Sequence, residues 1–343
     1  MNALDVVMGG NLLGACVRAL SAGAPPERFA NAQRLRQFFG VVCEKRGVPN
    51  FFDRFEADSV DSGGLRLHLD VIEVDRSAPT VVFMPGTNAY AMLYGEFLTA
   101  LADRGFNVVG FDPRGHGRSG GQRGSYTIAE LVMDMDAAVQ YARGRFHGPV
   151  AVAGSSQGGI TAFYYAASGA PVVGAVCHNA ADLSDPDSVR LTRMPRLASA
   201  LRPALLAAAQ VAPELPVPMT AYLDLHREPV RGMGNARKVL YTDPLLVPFV
   251  RLKTMASLGS AELPTAVESI RTPVMLLQAG ADTIFPTDYM ATLYRRLTCP
   301  HKAFKVYEGL PHYMIVDFVD EFIDDVELWL GEVCGAAHRE VRP

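Results

Sequence analysis

The chain has 343 residues, of which 49% are hydrophobic and 20% charged, and its formal net charge is −4. This length allows one large α/β domain plus an insertion, and the apolar fraction supports a substantial core. The small net charge, with no block of like charges, argues against a nucleic-acid partner. No apolar run approaches the roughly 20 residues of a membrane span, so we predict no transmembrane segment.

The first 52 residues are predicted to form an N-terminal helical extension. Pro25-Pro26 separates two stretches with helical spacing of apolar residues. The start of the chain lacks a basic region and carries Asp5, so we do not expect a secretory signal. We expect the extension to pack on the body of the domain, with a homodimer contact or part of a lid as alternatives. The apolar positions are Leu13, Cys16, Val17 and Leu20, then Leu35, Phe38, Phe39 and Val42.

The cysteines give an expectation about the compartment. The chain has five, an odd number without a Cys-x-x-Cys pair. This pattern predicts free thiols in a reducing, cytoplasmic setting and argues against a disulfide framework or a zinc site. The five are Cys16, Cys43, Cys177, Cys299 and Cys334.

Strands and helices alternate in residues 53–182 and again in 271–343, which we assign to one core. The opening strands, 54–60 and 65–74, are predicted to pair antiparallel around the turn Asp61-Ser62-Gly63-Gly64. The later units predict a mostly parallel sheet with helices on both faces, because consecutive parallel strands need crossover helices. The last helix is expected to bury Ile315, Val319, Phe322, Val326 and Leu330 and to end near Gly335.

The segment Gly154-Ser155-Ser156-Gln157-Gly158 follows an apolar run at 149–153 and precedes a stretch with helical spacing. A strand, Gly-x-Ser-x-Gly and a helix in this order are typical of a nucleophile elbow. Ser156 would then stand at the top of the sheet with a helix behind it. An ordinary glycine-rich turn between strand and helix is the alternative.

Two downstream strands end in residues that would activate such a serine. Residues 273–282 read as a buried strand ending in Asp282, and 305–312 as a strand running into a turn with His312. A serine hydroxyl needs a base to take its proton, which assigns His312 as base and Asp282 as the acid orienting it. Asp182 and Asp185 remain alternatives for the acid, and Asp282 also fits a helix cap.

Taken together, these motifs resemble the α/β-hydrolase superfamily over residues 55–333. The chain is similar to its lid-bearing serine esterases and monoacylglycerol-lipase-like hydrolases. The resemblance implies an α/β-hydrolase fold with an eight-stranded, mostly parallel sheet and a helical cap at residues 183–270. The supporting segments are Met84-Pro85-Gly86-Thr87, residues 111–119, the elbow, Gly280-Ala281-Asp282 and Gly309-Leu310-Pro311-His312.

An oxyanion formed at Ser156 needs backbone N–H donors. The N–H of Gln157 starts the elbow helix and is the first expected donor. By family position the resemblance implies Thr87 as the second, although Pro85-Gly86 replaces the usual His-Gly. The residues expected to line the substrate pocket are Asn88, Tyr90 and Asn179.

The apolar content of residues 183–270 favours an apolar substrate. The resemblance implies a serine hydrolase that cleaves a carboxylic ester with an apolar acyl or alcohol part through an acyl-enzyme. Cleavage of an amide, lactone or thioester by the same triad is an alternative, and a non-catalytic small-molecule receptor is a second class. No Gly-x-Gly-x-x-Gly or Walker pattern opens a strand–helix unit, so we expect no cofactor, and no metal is expected.

Overall fold

The computed structural model describes residues 31–335. Eight strands of this part form the main sheet, and four short strands lie between the sixth and the seventh of them. In chain order the strands are β1 (Glu56–Ser62), β2 (Leu65–Ile72), β3 (Thr80–Met84), β4 (Asn107–Asp112), β5 (Val150–Ser155), β6 (Ala175–His178), β7 (Pro216–Pro218), β8 (Pro229–Val230), β9 (Gly234–Asn235), β10 (Phe249–Arg251), β11 (Val274–Ala279) and β12 (Lys302–Tyr307).

The α-helices lie before, between and after these strands. The helix that follows β5 starts after a single residue, Ser156. In chain order the helices are α1 (Ala32–Arg46), α2 (Gly95–Asp103), α3 (Ile128–Arg145), α4 (Gln157–Ala167), α5 (Pro195–Val211), α6 (Ala236–Thr242), α7 (Leu252–Leu258), α8 (Thr287–Arg296), α9 (Met314–Asp317) and α10 (Ile323–Cys334).

The main sheet has the strand order β1-β2-β4-β3-β5-β6-β11-β12. β2 runs antiparallel to both of its neighbours, and every other pair is parallel. The predicted α/β-hydrolase fold with eight mostly parallel strands is confirmed. Every residue of β3, β4, β5 and β11 is buried, as expected for strands covered on both faces.

Local sequence explains where several elements begin. Gly63 and Gly64 have φ of +60° and +84°, which a two-residue hairpin turn between β1 and β2 requires. Thr127 and Glu130 form a capping box at the start of α3: the Thr127 side chain accepts from the Glu130 N–H, and the Glu130 side chain accepts from the Thr127 N–H. The glycine turn and the capping residues have local sequence patterns that predict this geometry.

The described part of the N-terminal extension packs on the core. Helix α1 buries the predicted face, Leu35, Phe38, Phe39 and Val42. The Phe39 ring lies 6.0 Å from that of Tyr90, and Arg46 pairs with buried Asp317 at 3.0 Å. The other predicted helix face, with Leu13, Cys16, Val17 and Leu20, lies outside the described residues.

The final helix was predicted as continuous, and this is wrong. The segment divides into α9, a 3₁₀ turn at Val319–Glu321 and α10. Phe318 (φ −133°, ψ 43°) and Phe322 (φ −138°, ψ −10°) leave the helical region at the two breaks. Phe322 packs against Phe97, with ring centroids 5.8 Å apart. The five residues predicted to be buried are buried despite the breaks.

The insertion between β6 and β11 contains α5, α6 and α7, and it also holds two small sheets that were not predicted. β7 pairs with β10, and β8 pairs with β9. Prolines disfavour a helix in part of this segment, because proline has no N–H and restricts the residue before it to extended conformations. The proline-rich stretch Pro216–Pro218 accordingly forms β7. Within residues 31–335, no helix is long and apolar enough to cross a membrane.

Candidate active site

Ser156 occupies a strained turn between β5 and α4. Its φ of 55° and ψ of −118° lie in a region that non-glycine residues rarely adopt. The turn is held by the Ser156 N–H, which donates to the His178 carbonyl at 2.7 Å. A Cβ at Gly158 would overlap the Met84 carbonyl oxygen, so this position requires glycine. The serine side chain is therefore presented at the carboxyl end of the central strand.

Asp282 and His312 meet beside this turn, from the loops after β11 and β12. The His312 Nδ1 lies 2.8 Å from the Asp282 Oδ2. The other carboxylate oxygen of Asp282 accepts from the N–H groups of Ile284 (2.8 Å) and Phe285 (2.9 Å). The carboxylate is thus fixed by its own loop and directed at the imidazole.

The electrostatics of this pair suit a proton acceptor. Burial favours neutral His312, but the Asp282 charge and hydrogen bond, with the Glu228 charge, raise the pKa of His312 above its ordinary value. Burial alone would raise the pKa of Asp282, yet His312 and the N–H of Phe285 lower it overall. The arrangement therefore stabilises a carboxylate next to an imidazole that readily gains a proton.

The two alternative acids are engaged elsewhere. Asp182 Oδ1 accepts from the Ser184 N–H at 3.1 Å and from its hydroxyl at 2.6 Å. Asp185 Oδ2 lies 3.2 Å from the Arg296 guanidinium. Of the three carboxylates considered from sequence, Asp282 is the one hydrogen-bonded to His312.

Ser156 and His312 line the same small cavity. Within residues 31–335 no hydrogen bond joins the Ser156 hydroxyl to the His312 ring. Catalytic hydrogen bonds are often long without substrate and tighten when it binds. The backbones of the two residues are held by the elbow and by the bond from the His312 N–H to Glu228.

The predicted oxyanion donors lie next to Ser156. Thr87 and Gln157 both line the larger of two cavities at this serine. Neither backbone N–H has an acceptor within the part of the chain that the structure describes, and Gln157 is the first residue of α4. A Cβ at Gly86 would lie 3.4 Å from the Ser156 Cβ, so the loop carrying Thr87 lies against the serine. Two free donors and the amino end of a helix suit a developing negative charge.

The predicted pocket residues Asn88, Tyr90 and Asn179 require correction. All three side chains are fully buried and line neither cavity. The Tyr90 hydroxyl donates to Asp243 Oδ2 at 2.7 Å. The three residues lie beside the predicted motifs, but the Tyr90 hydroxyl and the side-chain amides of Asn88 and Asn179 donate to partners within the protein.

Asn88 instead ties the loop that carries Thr87 to the insertion between β6 and β11. Its Nδ2 donates to the carbonyls of Val247 (2.9 Å) and Phe249 (2.6 Å). Its Oδ1 accepts from the Tyr126 hydroxyl at 3.1 Å, and that hydroxyl also lies 3.1 Å from Gln157 Oε1. The φ of Asn88 is 55°, a conformation that these contacts hold in place.

Asn179 supports the acid. Its Nδ2 lies 3.2 Å from Asp282 Oδ2 and 3.1 Å from Gln278 Oε1. The same oxygen of Asp282 therefore accepts from both Asn179 and His312, which fixes its orientation. Asn179 contacts the acid and not the cavity.

Sequence reasoning missed Glu228, a residue of the insertion. Its side chain is fully buried. Oε2 accepts from the His312 N–H at 2.9 Å, and Oε1 accepts from the Thr283 N–H at 3.0 Å. In the sequence Glu228 is one of several charged residues between Asp224 and Arg231, and no local pattern indicates that its side chain will reach the core.

Two apolar cavities meet at Ser156. The larger has a volume of about 400 Å³ and the smaller about 50 Å³, and both include Thr87, Ser156, Leu223 and Ile284 in their walls. The insertion supplies most of the apolar wall of the larger cavity, which makes it a cap over the serine. These residues include Leu197, Leu201, Leu205, Val217, Met255 and Leu258.

His178, Asp282 and His312 place nitrogen and oxygen atoms within 4.8 Å of one another, a spacing that could hold a metal ion. Their hydrogen bonds explain the cluster in another way. His178 Nδ1 lies 3.0 Å from the Ser155 hydroxyl, and His312 Nδ1 binds Asp282. Burial and the neighbouring His312 lower the pKa of His178 to about 3, so it stays neutral.

Comparison with known proteins places this site in a family. The family model described as "Serine aminopeptidase, S33" matches residues 75–318. A monoacylglycerol lipase from Mycolicibacterium smegmatis is 26% identical over 289 residues, covering 81% of this chain and 97% of that protein. Residues 75–318 include the elbow, the Asp282 loop and the His312 loop.

Solved structures share the fold. A monoacylglycerol lipase from Paleococcus ferrophilus aligns with a TM-score of 0.59 and 24% identity, covering 75% of this chain and 96% of that one. A soluble variant of monoglyceride lipase from Saccharomyces cerevisiae, in complex with a substrate analogue, aligns with a TM-score of 0.64 and 18% identity, covering 81% and 95%. The family match and these folds confirm the resemblance found in the motifs: the chain belongs to the serine aminopeptidase S33 family of α/β-hydrolases and is a serine hydrolase.

Proposed function

We propose that this enzyme hydrolyses carboxylic esters that have an apolar acyl or alcohol part, through an acyl-enzyme at Ser156. The observation that carries the proposal is the position of Ser156. It lies at the junction of two apolar cavities, beside a hydrogen-bonded Asp282–His312 pair.

In the first step the Ser156 hydroxyl attacks the ester carbonyl while the His312 Nε2 takes its proton. Asp282 holds Nδ1 and stabilises the imidazolium that forms. The N–H groups of Thr87 and Gln157 receive the oxyanion. The imidazolium then protonates the leaving alcohol, which departs and leaves the acyl group on Ser156.

In the second step water takes the place of the alcohol. His312 removes a proton from that water, which attacks the acyl carbonyl, and the same two N–H groups receive the second oxyanion. Collapse of this intermediate releases the acid and returns the proton to Ser156. The apolar cap excludes bulk water and so strengthens the interactions with both oxyanions.

The charges around the cavities favour an ester over the free amino terminus that an aminopeptidase recognises. Among the described residues that line the larger cavity, Asp185 is the one carboxylate, and it pairs with Arg296 at 3.2 Å. The smaller cavity has Arg46 in its wall. An ammonium group would find no unpaired carboxylate there, whereas an apolar chain would contact leucine and methionine side chains.

The curated relative named monoacylglycerol lipase narrows the substrate class. Its name describes an ester of glycerol with one acyl chain. We propose the same class for this chain, with the acyl group in the larger cavity. Unequal cavity sizes of about 400 and 50 Å³ support a long group on one side of the scissile bond and a small one on the other.

The experiment is an activity panel with the purified enzyme. It compares monoacylglycerols and p-nitrophenyl esters of increasing acyl length with matched anilides and amino-acid amides. We expect kcat/KM to rise with acyl length and the amides to be far slower. Faster cleavage of amino-acid amides than of every ester would contradict the proposal.

Two smaller expectations stay predictions. The described cysteines, Cys43, Cys177, Cys299 and Cys334, are free thiols, which supports a reducing compartment such as the cytoplasm. A homodimer contact through the N-terminal extension is a further hypothesis. Sedimentation of the full-length chain measures the oligomeric state directly.

A further inference from the structure

Glu228 is a cap residue whose carboxylate lies among the loops of the catalytic pair. It comes directly before β8 and starts the β8–β9 hairpin, where its carbonyl accepts from the Ala236 N–H at 2.9 Å. Its side chain is 0% exposed. A carboxylate is costly to bury, so its partners decide what it does.

Those partners are the two loops that carry the acid and the base. Oε2 accepts from the His312 N–H at 2.9 Å. Oε1 accepts from the N–H of Thr283 at 3.0 Å and also from its hydroxyl. Thr283 directly follows Asp282 in the chain. One carboxylate from the cap therefore joins the Asp282 loop to the His312 loop.

The negative charge of Glu228 acts on the imidazole. Within residues 31–335 Glu228 forms no ion pair, and its charge contributes to raising the pKa of His312. Three other titratable groups face that ring: Asp282 at 2.8 Å, His178 with ring centroids 5.4 Å apart, and Tyr313 with ring centroids 5.7 Å apart. His178 and Tyr313 stay neutral, because their pKa values are lowered and raised respectively, mainly by burial.

The hairpin is anchored at a second point that does not touch His312. The Arg231 guanidinium binds Glu96 at 2.7 Å, and the backbone N–H of Arg231 donates to Asp317 Oδ2 at 2.9 Å. Arg231 thus offers a matched control: it fastens the same hairpin to the core without adding a carboxylate near the imidazole.

We propose that Glu228 is a positioning residue through which the seated cap aligns His312 with Asp282 and stabilises the imidazolium. This inference rests on the proposed function, since His312 must act as the base. When the β8–β9 hairpin is seated, Glu228 fixes both loops. As the buried His312 gains a proton, the carboxylates of Asp282 and Glu228 balance its positive charge. Substrate discrimination by the cap and proton transfer in the core are thereby linked.

The test compares Glu228→Gln with wild type over pH. Glutamine keeps the size but removes the charge, so the acidic limb of the kcat/KM profile should move to lower pH. The kcat should fall by up to about 100-fold through lost alignment, with KM changed little. Arg231→Gln should lower thermal stability without moving that limb.

Glu228→Asp keeps the negative charge but shortens the side chain, so it separates the effect of charge from the effect of side-chain length. It should keep the acidic limb near the wild-type position, because the charge remains, while its kcat falls because the shorter side chain cannot span both loops. This variant also tests the idea if Glu228→Gln does not fold. An unshifted limb in Glu228→Gln, an equal shift in Arg231→Gln, or full kcat in Glu228→Asp would each overturn the proposal. Failure of the proposed function is distinct, because wild type itself would then show no ester hydrolysis.

Discussion

The core side of the active site and the cap side are built in different ways. On the core side, three loops present Ser156, Asp282 and His312, and hydrogen bonds to backbone N–H groups hold these loops in place. The cap side is mostly apolar wall, and its polar contacts with the site include the Glu228 carboxylate and the carbonyls that receive Asn88. We infer that the core determines the reaction, while the cap determines which substrates enter and how firmly the loops are held.

The largest effect should come from the core. Asp282→Asn should lower kcat by about 10⁴-fold, since an amide in that position favours the wrong tautomer of His312. Asp182→Asn is the matched control and should keep most activity, because Asp182 binds Ser184 and not the histidine. Steady-state kinetics on one ester measures both. An equal loss of kcat in the two variants would contradict the assignment of Asp282 as the acid.

A substitution at the boundary between the two sides should have a smaller effect. Asn88→Ala removes the hydrogen bonds to Val247 and Phe249 and leaves alanine at a φ of 55°. We expect kcat to fall by about 10- to 100-fold and stability to fall by about 2–4 kcal/mol. Urea unfolding alongside kinetics separates the two. Asn88→Gly should recover part of the stability, because glycine adopts a positive φ without strain, but it should not restore the contact with the cap. Equal stability of the alanine and glycine variants would show that backbone strain at this position does not matter.

The pH dependence of kcat/KM tests how the charges around His312 act on its ring. His312 must be neutral to accept the serine proton, and Asp282 and Glu228 raise its pKa. The kcat/KM of wild type should therefore rise through an acidic limb centred above the ordinary histidine value of about 6.5, by about tenfold per pH unit below it. His178, whose pKa is about 3, should add no second limb. A limb centred below the ordinary value would show that burial outweighs the two carboxylates.

The smallest effect should come from the cap wall. Leu205→Phe fills part of the larger cavity and should lower kcat/KM for long acyl esters relative to short ones by about 10-fold, a cost of the order of two methylene contacts. Leu215→Phe, on the same insertion but 56% exposed, should leave the profile unchanged. An unchanged profile in Leu205→Phe would place the acyl chain elsewhere.

The two sides also differ in how much the sequence predicted. The core motifs are local: a glycine turn, a strand end or a capping box specifies its own geometry, so the fold and the pairing geometry of Asp282 with His312 followed from chain order. The cap contacts are long-range. Glu228 lies 84 residues from His312 in sequence, and no local pattern brings them together.

The placement of the predicted pocket residues differs from the prediction for a related reason. Asn88 and Asn179 lie next to motifs, which suggested substrate contact. Their positive φ values of 55° and 66°, and buried acceptors supplied by other segments, direct them into the protein. Proximity in sequence does not reveal which way a side chain points when distant segments supply its partners.

The central claim is that Ser156 is the nucleophile. The direct measurement is labelling with a fluorophosphonate probe, followed by intact mass and peptide mapping of wild type, Ser156→Ala and Ser155→Ala. We predict one adduct per chain, located on Ser156, absent from Ser156→Ala and retained in Ser155→Ala, with a loss of ester turnover of about 10⁴- to 10⁶-fold in Ser156→Ala alone. An adduct on Ser155, or undiminished labelling of Ser156→Ala, would contradict the account.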